Sequence, residues 1–183
     1  MRLGLWLVLV VLMAGCSSLQ DFKPRMGTVD GAELVIEMTQ GDLVYELNTR
    51  RPEVVYPFMQ KVDEGYYDGG YVDKLVPGLF AMTGDGQWNR KKGWQIEGQQ
   101  EPGRPARAGE LGMVQNKDGS YGPFFVMAMT RQSLALDADV PPTLVLGWLV
   151  EGRDVLPRLR KSDKILRVYG RGFDAAKEPA YVP

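Results

Sequence analysis

The chain has 183 residues, of which 25% are charged, and its formal net charge is −1. This balance argues against the basic stripe of a duplex-binding protein, and we expect no nucleic-acid partner. The chain contains no histidine and a single cysteine, which removes the commonest general base and the commonest metal ligands. We therefore expect neither a metal nor another cofactor. The length suits one well-buried core.

The first residues have the pattern of an export signal. One charge, Arg2, precedes an apolar run from Leu3 to Ala14, and this run is shorter than the stretch of about 20 residues that spans a bilayer. A positive start followed by a short apolar stretch is typical of secretory signals. The sequence LMAGC at 12–16 resembles the lipobox of bacterial lipoproteins, in which the cysteine is acylated and becomes the new N-terminus. We predict a signal peptide over 1–15 and lipidation of Cys16, with an ordinary secretory peptide or a single-span anchor as alternatives.

Lipidation would decide where the protein resides. Ser17, rather than Asp, follows the cysteine, and in a Gram-negative cell this favours the outer membrane. We expect a monomer attached through a polar tether over 16–31 to a bacterial membrane, namely the outer membrane, and facing the periplasm. Stable anchoring needs more than one acyl chain, and lipoprotein acylation supplies several.

The first predicted elements are a β-hairpin and a helix. Apolar residues alternate with other residues over 34–38 and again over 43–47, on either side of Gln40-Gly41, which predicts two paired strands. Pro52 suits the first turn of a helix, and Gly65 would end it. We expect Pro57 to kink or shorten this helix. Its inward-facing residues should be Val55, Phe58, Met59 and Val62.

Short strands make up most of the remaining pattern. We predict strands over 71–76 and 79–83 around a Pro77-Gly78 turn, and then a polar excursion over the surface at 87–109. The later predicted elements are strands over 111–115, 124–129, 144–150 and 165–169, a loop over 131–142, a helical spacing over 152–161 that Pro157 interrupts, and a tail over 173–183.

Together these elements favour a mainly β domain over 32–172. At least seven short strands with two isolated helices fit a closed or nearly closed barrel, because closure removes unpaired strand edges and helices can plug the ends. A two-sheet sandwich is the competing arrangement.

The block from Gly65 to Asp85 resembles the signature of the cyclophilin-type peptidyl-prolyl cis-trans isomerases. In that family a Tyr-x-Gly lead enters a Phe-His-Arg-Val strand, and a Pro-Gly turn leads into a Phe-Met-x-Gln strand. The residues in register are Tyr67, Gly69, Pro77, Gly78, Gly84 and Asp85. The likeness continues, in the family's order, through GELGMV at 109–114, GPFFV at 122–126 and LGWLVEGRDVL at 146–156. It covers roughly residues 33–170 and implies a closed eight-stranded antiparallel barrel capped by two α-helices.

The resemblance also implies a site for proline-containing peptide or protein segments. Lys74 stands where the family has an arginine that donates to the prolyl nitrogen, and Phe125 corresponds to the floor of the proline pocket. The other peptide-binding positions are Leu79, Phe80, Met82, Val114, Gln115 and Leu136. Several positions depart from the family: Met82 and Pro123 replace glutamines, Leu79-Phe80 replaces Phe-Met, and the pocket histidine has no counterpart.

Two hypotheses follow for function. The first is a prolyl isomerase homologue with a degenerate site, which assists the folding of exported proteins with weak activity or none. The second is a lipoprotein that binds peptides or an envelope partner as a scaffold, without catalysis. A purely structural lipoprotein is a third possibility.

Overall fold

A computed structural model describes residues 31–83, 94–96, 102–129 and 141–173. The strands in these ranges are β1 (Glu33–Met38), β2 (Gly41–Leu47), β3 (Val72–Val76), β4 (Phe80–Thr83), β5 (Glu110–Gln115), β6 (Tyr121–Ala128), β7 (Thr143–Glu151) and β8 (Ile165–Arg171). One α-helix, α1 (Pro52–Asp63), lies in the described part of the chain. The predicted signal peptide, Cys16, Leu136 and nearly all of the tether and tail lie outside the described residues.

All eight strands belong to one antiparallel sheet in the order β3-β4-β6-β5-β7-β2-β1-β8. This arrangement confirms the mainly β antiparallel prediction and excludes the sandwich. The sheet curls strongly into a half-barrel. Its edges meet where Tyr71 and Lys164 form an isolated bridge, supported by a hydrogen bond of 2.9 Å from the Val72 amide to the Asp163 carbonyl.

The predicted closure into a complete barrel is therefore wrong. Within the described residues, the two edge strands meet through short turn segments and not through a continuous ladder. Gly69 and Ser162, which flank the meeting point, have left-handed backbones with φ of 77° and 72°. Such residues turn the chain out of the extended conformation that a ladder requires.

Helix α1 packs its apolar residues into the concave side of the sheet. Pro52 occupies its first turn, and its buried residues include the four inward-facing positions predicted from the sequence. Pro57 lies inside the helix and does not shorten it, so the expected effect of this proline on helix length is not observed. Gly65 adopts φ of 66° just after the helix, as expected for a residue that ends one.

The second predicted helix, over 152–161, is a turn followed by a three-residue 3-10 helix, Leu156–Arg158. The prediction of two capping α-helices is thus wrong for the described chain. Gly152 has φ of 85°, and Pro157 lacks the amide proton that a longer helix would need. Val155 and Leu159 are nonetheless buried, which explains why this segment has a helical apolar spacing.

The inner core fills the space between the concave face of the sheet and α1. Its largest fully buried side chains are Tyr45, Phe58, Tyr67, Tyr121 and Phe125. The alternating residues of the hairpin, Leu34, Ile36, Met38, Leu43, Tyr45 and Leu47, all belong to it. This confirms the period-2 prediction, since alternate residues of a strand share one face.

Candidate functional site

A second apolar cluster lies apart from the inner core. We call it the outer cluster; its buried members are Phe80, Ala106, Val114, Val126 and Ala128, and its partly buried members are Val76, Leu79, Met82 and Phe124. It is built on β3, β4, β5 and β6. Along β4, Phe80 and Met82 belong to the outer cluster while Ala81 belongs to the inner core. The strand alternation therefore sorts these residues between the two faces of the sheet.

Lys74 lies at the end of a row of cross-strand partners that runs through four strands of the sheet and includes two members of the outer cluster. Lys74 pairs with Met82, Met82 pairs with Val126, and Val126 pairs with Gly112. Since neighbouring strands are about 4.8 Å apart, these residues form a continuous line across the sheet.

The ammonium group of Lys74 is turned toward the outer cluster. Its Nζ lies 5.7 Å from the centroid of the Phe80 ring. A cation at this distance interacts favourably with the face of an aromatic ring, and the interaction also fixes the direction of the lysine side chain. The structure therefore combines a positive charge and an apolar surface on one face of the sheet.

Four of the predicted peptide-binding residues come together here. Leu79, Phe80, Met82 and Val114 all belong to the outer cluster. Phe80 is fully buried and Val114 is 9% exposed, so Leu79 and Met82, which are only partly buried, present more of their surface to a ligand.

Phe125 does not join these residues. It is fully buried in the inner core, where its ring centroid lies 5.3 Å from that of Tyr67 and 6.2 Å from that of Phe58. Phe125 pairs with Thr83 on β4 and Met113 on β5. The structure thus places Phe125 on the opposite face from Phe80, toward which Lys74 points.

Phe124 occupies the face on which Phe125 was expected. It is partly buried and packs against the outer cluster, whereas sequence analysis did not select it. The two adjacent phenylalanines must point to opposite faces of β6. Only the pairing register decides which one points outward, so the sequence signal was ambiguous.

Gln115 lies at the border of this face and supports a loop. Its Oε1 accepts a hydrogen bond of 3.3 Å from the Gly103 amide, and its Nε2 donates to the Gly119 carbonyl at 3.4 Å. The side chain is therefore engaged in holding the chain that approaches β5.

The segment over 102–109, which we call the strap, carries Ala106 into the outer cluster. Ala106 is fully buried, although the sequence predicted a polar surface excursion here. Arg104 forms a bridge with Thr143 through two backbone hydrogen bonds of 3.1 and 2.8 Å. Ala106 is one of two alanines among the mostly polar residues of the strap, so no sequence signal indicated this burial.

A charged clamp fixes the strap to β5. The two terminal nitrogens of Arg104 each donate to a carboxylate oxygen of Glu110 at 2.8 Å, and the Arg107 amide donates to the same carboxylate at 2.7 Å. Burial raises the pKa of Glu110, but the hydrogen bonds from Arg104 and Arg107 outweigh it and leave the pKa lowered. The carboxylate is therefore held in its charged form, and the strap stays attached to the sheet.

Neither a metal cluster nor a membrane-spanning helix is found in the described ranges. No group of three or more metal-binding side chains occurs in them. None of their helices is long and apolar enough to cross a membrane.

The outer cluster and the strand order can be compared with known proteins. The family model for the cyclophilin type peptidyl-prolyl cis-trans isomerase/CLD matches residues 33–170. The chain belongs to the cyclophilin family. Among curated proteins, this cyclophilin is similar to a probable peptidyl-prolyl cis-trans isomerase of Brucella suis, with 27% identity over 72% of each chain. A protein of Brucella abortus with the same description is 26% identical, again over 72% of each chain.

Solved structures show the same fold. A cyclophilin-type isomerase of Cryptosporidium parvum, crystallised in the presence of the dipeptide Ala-Pro, matches with a TM-score of 0.57 and 20% identity, over 75% of this chain and 97% of that one. The cyclophilin AquaCyp293 of Hirschia baltica matches with a TM-score of 0.59 and 18% identity, over 76% and 73% of the two chains. The family expected from the sequence is therefore confirmed, and the protein is a homologue of the prolyl isomerases.

Proposed function

We propose that this cyclophilin binds proline-containing segments on its outer cluster, next to Lys74, and isomerises them weakly. The observation that carries the proposal is the position of the Lys74 ammonium group 5.7 Å from the Phe80 ring. A positive donor beside an apolar surface is what an X-Pro segment requires, since the ring needs apolar contact and the twisting bond needs a donor.

The chemistry explains why activity should be weak. The barrier of about 20 kcal/mol comes from amide resonance, and it falls when a donor reaches the prolyl nitrogen as the bond twists. The arginine that the resemblance assigns to this position has a rigid planar fork, while Lys74 has a flexible ammonium group. A lysine keeps the charge but is positioned less strictly, so less transition-state stabilisation is expected.

An exchange measurement tests the proposal. NMR exchange spectroscopy on a short X-Pro peptide should show faster cis-trans exchange when the protein is added. Lys74→Ala should return the rate to that of buffer, and Lys74→Arg should match or exceed the natural protein. Lys161→Ala, which removes an exposed lysine outside the outer cluster, serves as the control and should leave the rate unchanged. No acceleration by either the natural protein or Lys74→Arg would reject catalysis.

A second function, peptide binding without catalysis, is favoured by the residue opposite Lys74. Met82 pairs with Lys74 at a position where the resemblance assigns glutamine, and a thioether cannot donate a hydrogen bond to a peptide. Binding of the same peptide that survives Lys74→Ala, with an exchange rate equal to that of buffer, would identify this second function.

The proposed place of action is the periplasmic side of the outer membrane, where the protein would assist the folding of exported proteins. The export-type start of the chain and the position of its only cysteine, Cys16, support this proposal. Cells fed a labelled fatty acid should incorporate the label into the full chain and not into Cys16→Ser. Equal labelling of both chains, or of neither, would contradict lipidation at this residue.

A further inference from the structure

The face of the sheet that carries the outer cluster and Lys74 is bordered by apolar side chains. Val76, Leu79, Met82 and Phe124 pack against the outer cluster and are only partly buried. They belong to β3, the turn after it, β4 and β6, so they border the face on several sides. Any segment that lies on this face next to Lys74 must therefore place its neighbouring residues against apolar side chains.

We propose that Met82 and Phe124 are specificity-determining residues that select proline-containing segments with apolar residues on either side of the proline. This inference rests on the proposed function and specifies its substrate class. Met82 is the cross-strand partner of Lys74 and next to Val126. Phe124 lies two residues from Val126 on the same face of β6. The two side chains thus lie on different sides of Val126 in the same face.

The chemistry of these side chains favours apolar neighbours in the ligand. A leucine that leaves water to contact Met82 or Phe124 gains affinity in proportion to its buried area. A serine at the same place loses hydrogen bonds to water, and neither a thioether nor a phenyl ring replaces them. A lysine neighbour is disfavoured further, because the Lys74 charge repels it. The expected order of affinity is therefore leucine, then serine, then lysine.

Calorimetric titration of the full-length protein with three peptides tests the proposal. The peptides share one frame and differ only in their central Leu-Pro-Leu, Ser-Pro-Ser or Lys-Pro-Lys sequence. We expect the first to bind roughly tenfold more tightly than the second. Met82→Gln and Phe124→Ser should each reduce this preference at least threefold, and urea unfolding should show that both variants fold.

The control is Leu166→Ser on β8, a strand at the other edge of the sheet. Leu166 is 57% exposed, so this variant removes apolar surface outside the outer cluster and should retain the full preference. The proposed selection of apolar neighbours would be overturned by equal affinity for the leucine and serine peptides, or by a preference that is unchanged in both Met82→Gln and Phe124→Ser. Either result would leave the proposed function standing. Binding of none of the three peptides would overturn the proposed function as well.

Discussion

The assignment of the two phenylalanines of β6 to opposite faces can be tested through stability. Phe125 is fully buried in the inner core, and its ring contacts those of Tyr67 and Phe58. Phe125→Ala removes a buried ring and leaves a cavity, which costs about 3 to 5 kcal/mol. Phe124 is only partly buried, so Phe124→Ala should cost about 1 kcal/mol.

Urea unfolding followed by circular dichroism measures this difference. With a denaturant slope of about 2 kcal/mol per molar, the midpoint should fall by roughly 1.5 to 2.5 M in Phe125→Ala and by roughly 0.5 M in Phe124→Ala. At urea concentrations where both variants remain folded, peptide affinity should be weakened in Phe124→Ala and retained in Phe125→Ala. A larger loss of stability in Phe124→Ala than in Phe125→Ala would refute the assignment of faces.

Three further predictions concern the clamp, the core and the sheet. Glu110→Gln should lower the free energy of unfolding by about 1 to 3 kcal/mol at pH 7, because the charged hydrogen bonds from Arg104 are weakened. Since the folded-state pKa of Glu110 is lowered, this contribution is present above the unfolded pKa of about 4.3 and disappears as the pH falls through the folded value. A difference in the free energy of unfolding between the natural protein and Glu110→Gln that grows in acid would contradict it. Tyr45→Phe should raise the thermal midpoint, since the buried Tyr45 hydroxyl has no hydrogen-bond partner among the described residues and its desolvation costs about 1 to 3 kcal/mol; a lowered midpoint would reveal a partner. Gly112→Ala should cost about 1 to 3 kcal/mol in urea unfolding, because an added Cβ would lie 2.5 Å from the Thr143 Oγ1; unchanged stability would show that Thr143 moves freely.

Local patterns in the sequence were sufficient to predict the first hairpin and helix α1, because the signals for both lie within short stretches of the chain. The hairpin was predicted from alternating apolar residues, and its strands β1 and β2 pair in register from Glu33–Glu46 to Met38–Gly41. Helix α1 was predicted from Pro52 and an apolar spacing of three and four residues. Both signals are periodic and local, so they remain legible without knowledge of the rest of the chain.

The prediction of a second helix over 152–161 was wrong because an apolar spacing of four residues can also arise from a buried turn. Val155 and Leu159 are buried, and their spacing fits a helix, yet they anchor a turn and a short 3-10 helix. A turn that must bury two residues four positions apart produces the same pattern. The presence of Pro157 correctly indicated that a helix longer than this short 3-10 segment does not form there.

The sequence by itself determined the family, the antiparallel strands, helix α1 and the position of Lys74 beside the apolar residues of β4, because these depend on local periodicity and on motif spacing along the chain. Tertiary structure alone decided three features: the outward direction of Phe124, the burial of Ala106 under the clamp between Arg104 and Glu110, and the half-barrel shape of the sheet. Each depends on how strands distant in sequence pair and which face they share. A shift of one residue in register would exchange the two faces of β6 without changing a single letter of the sequence.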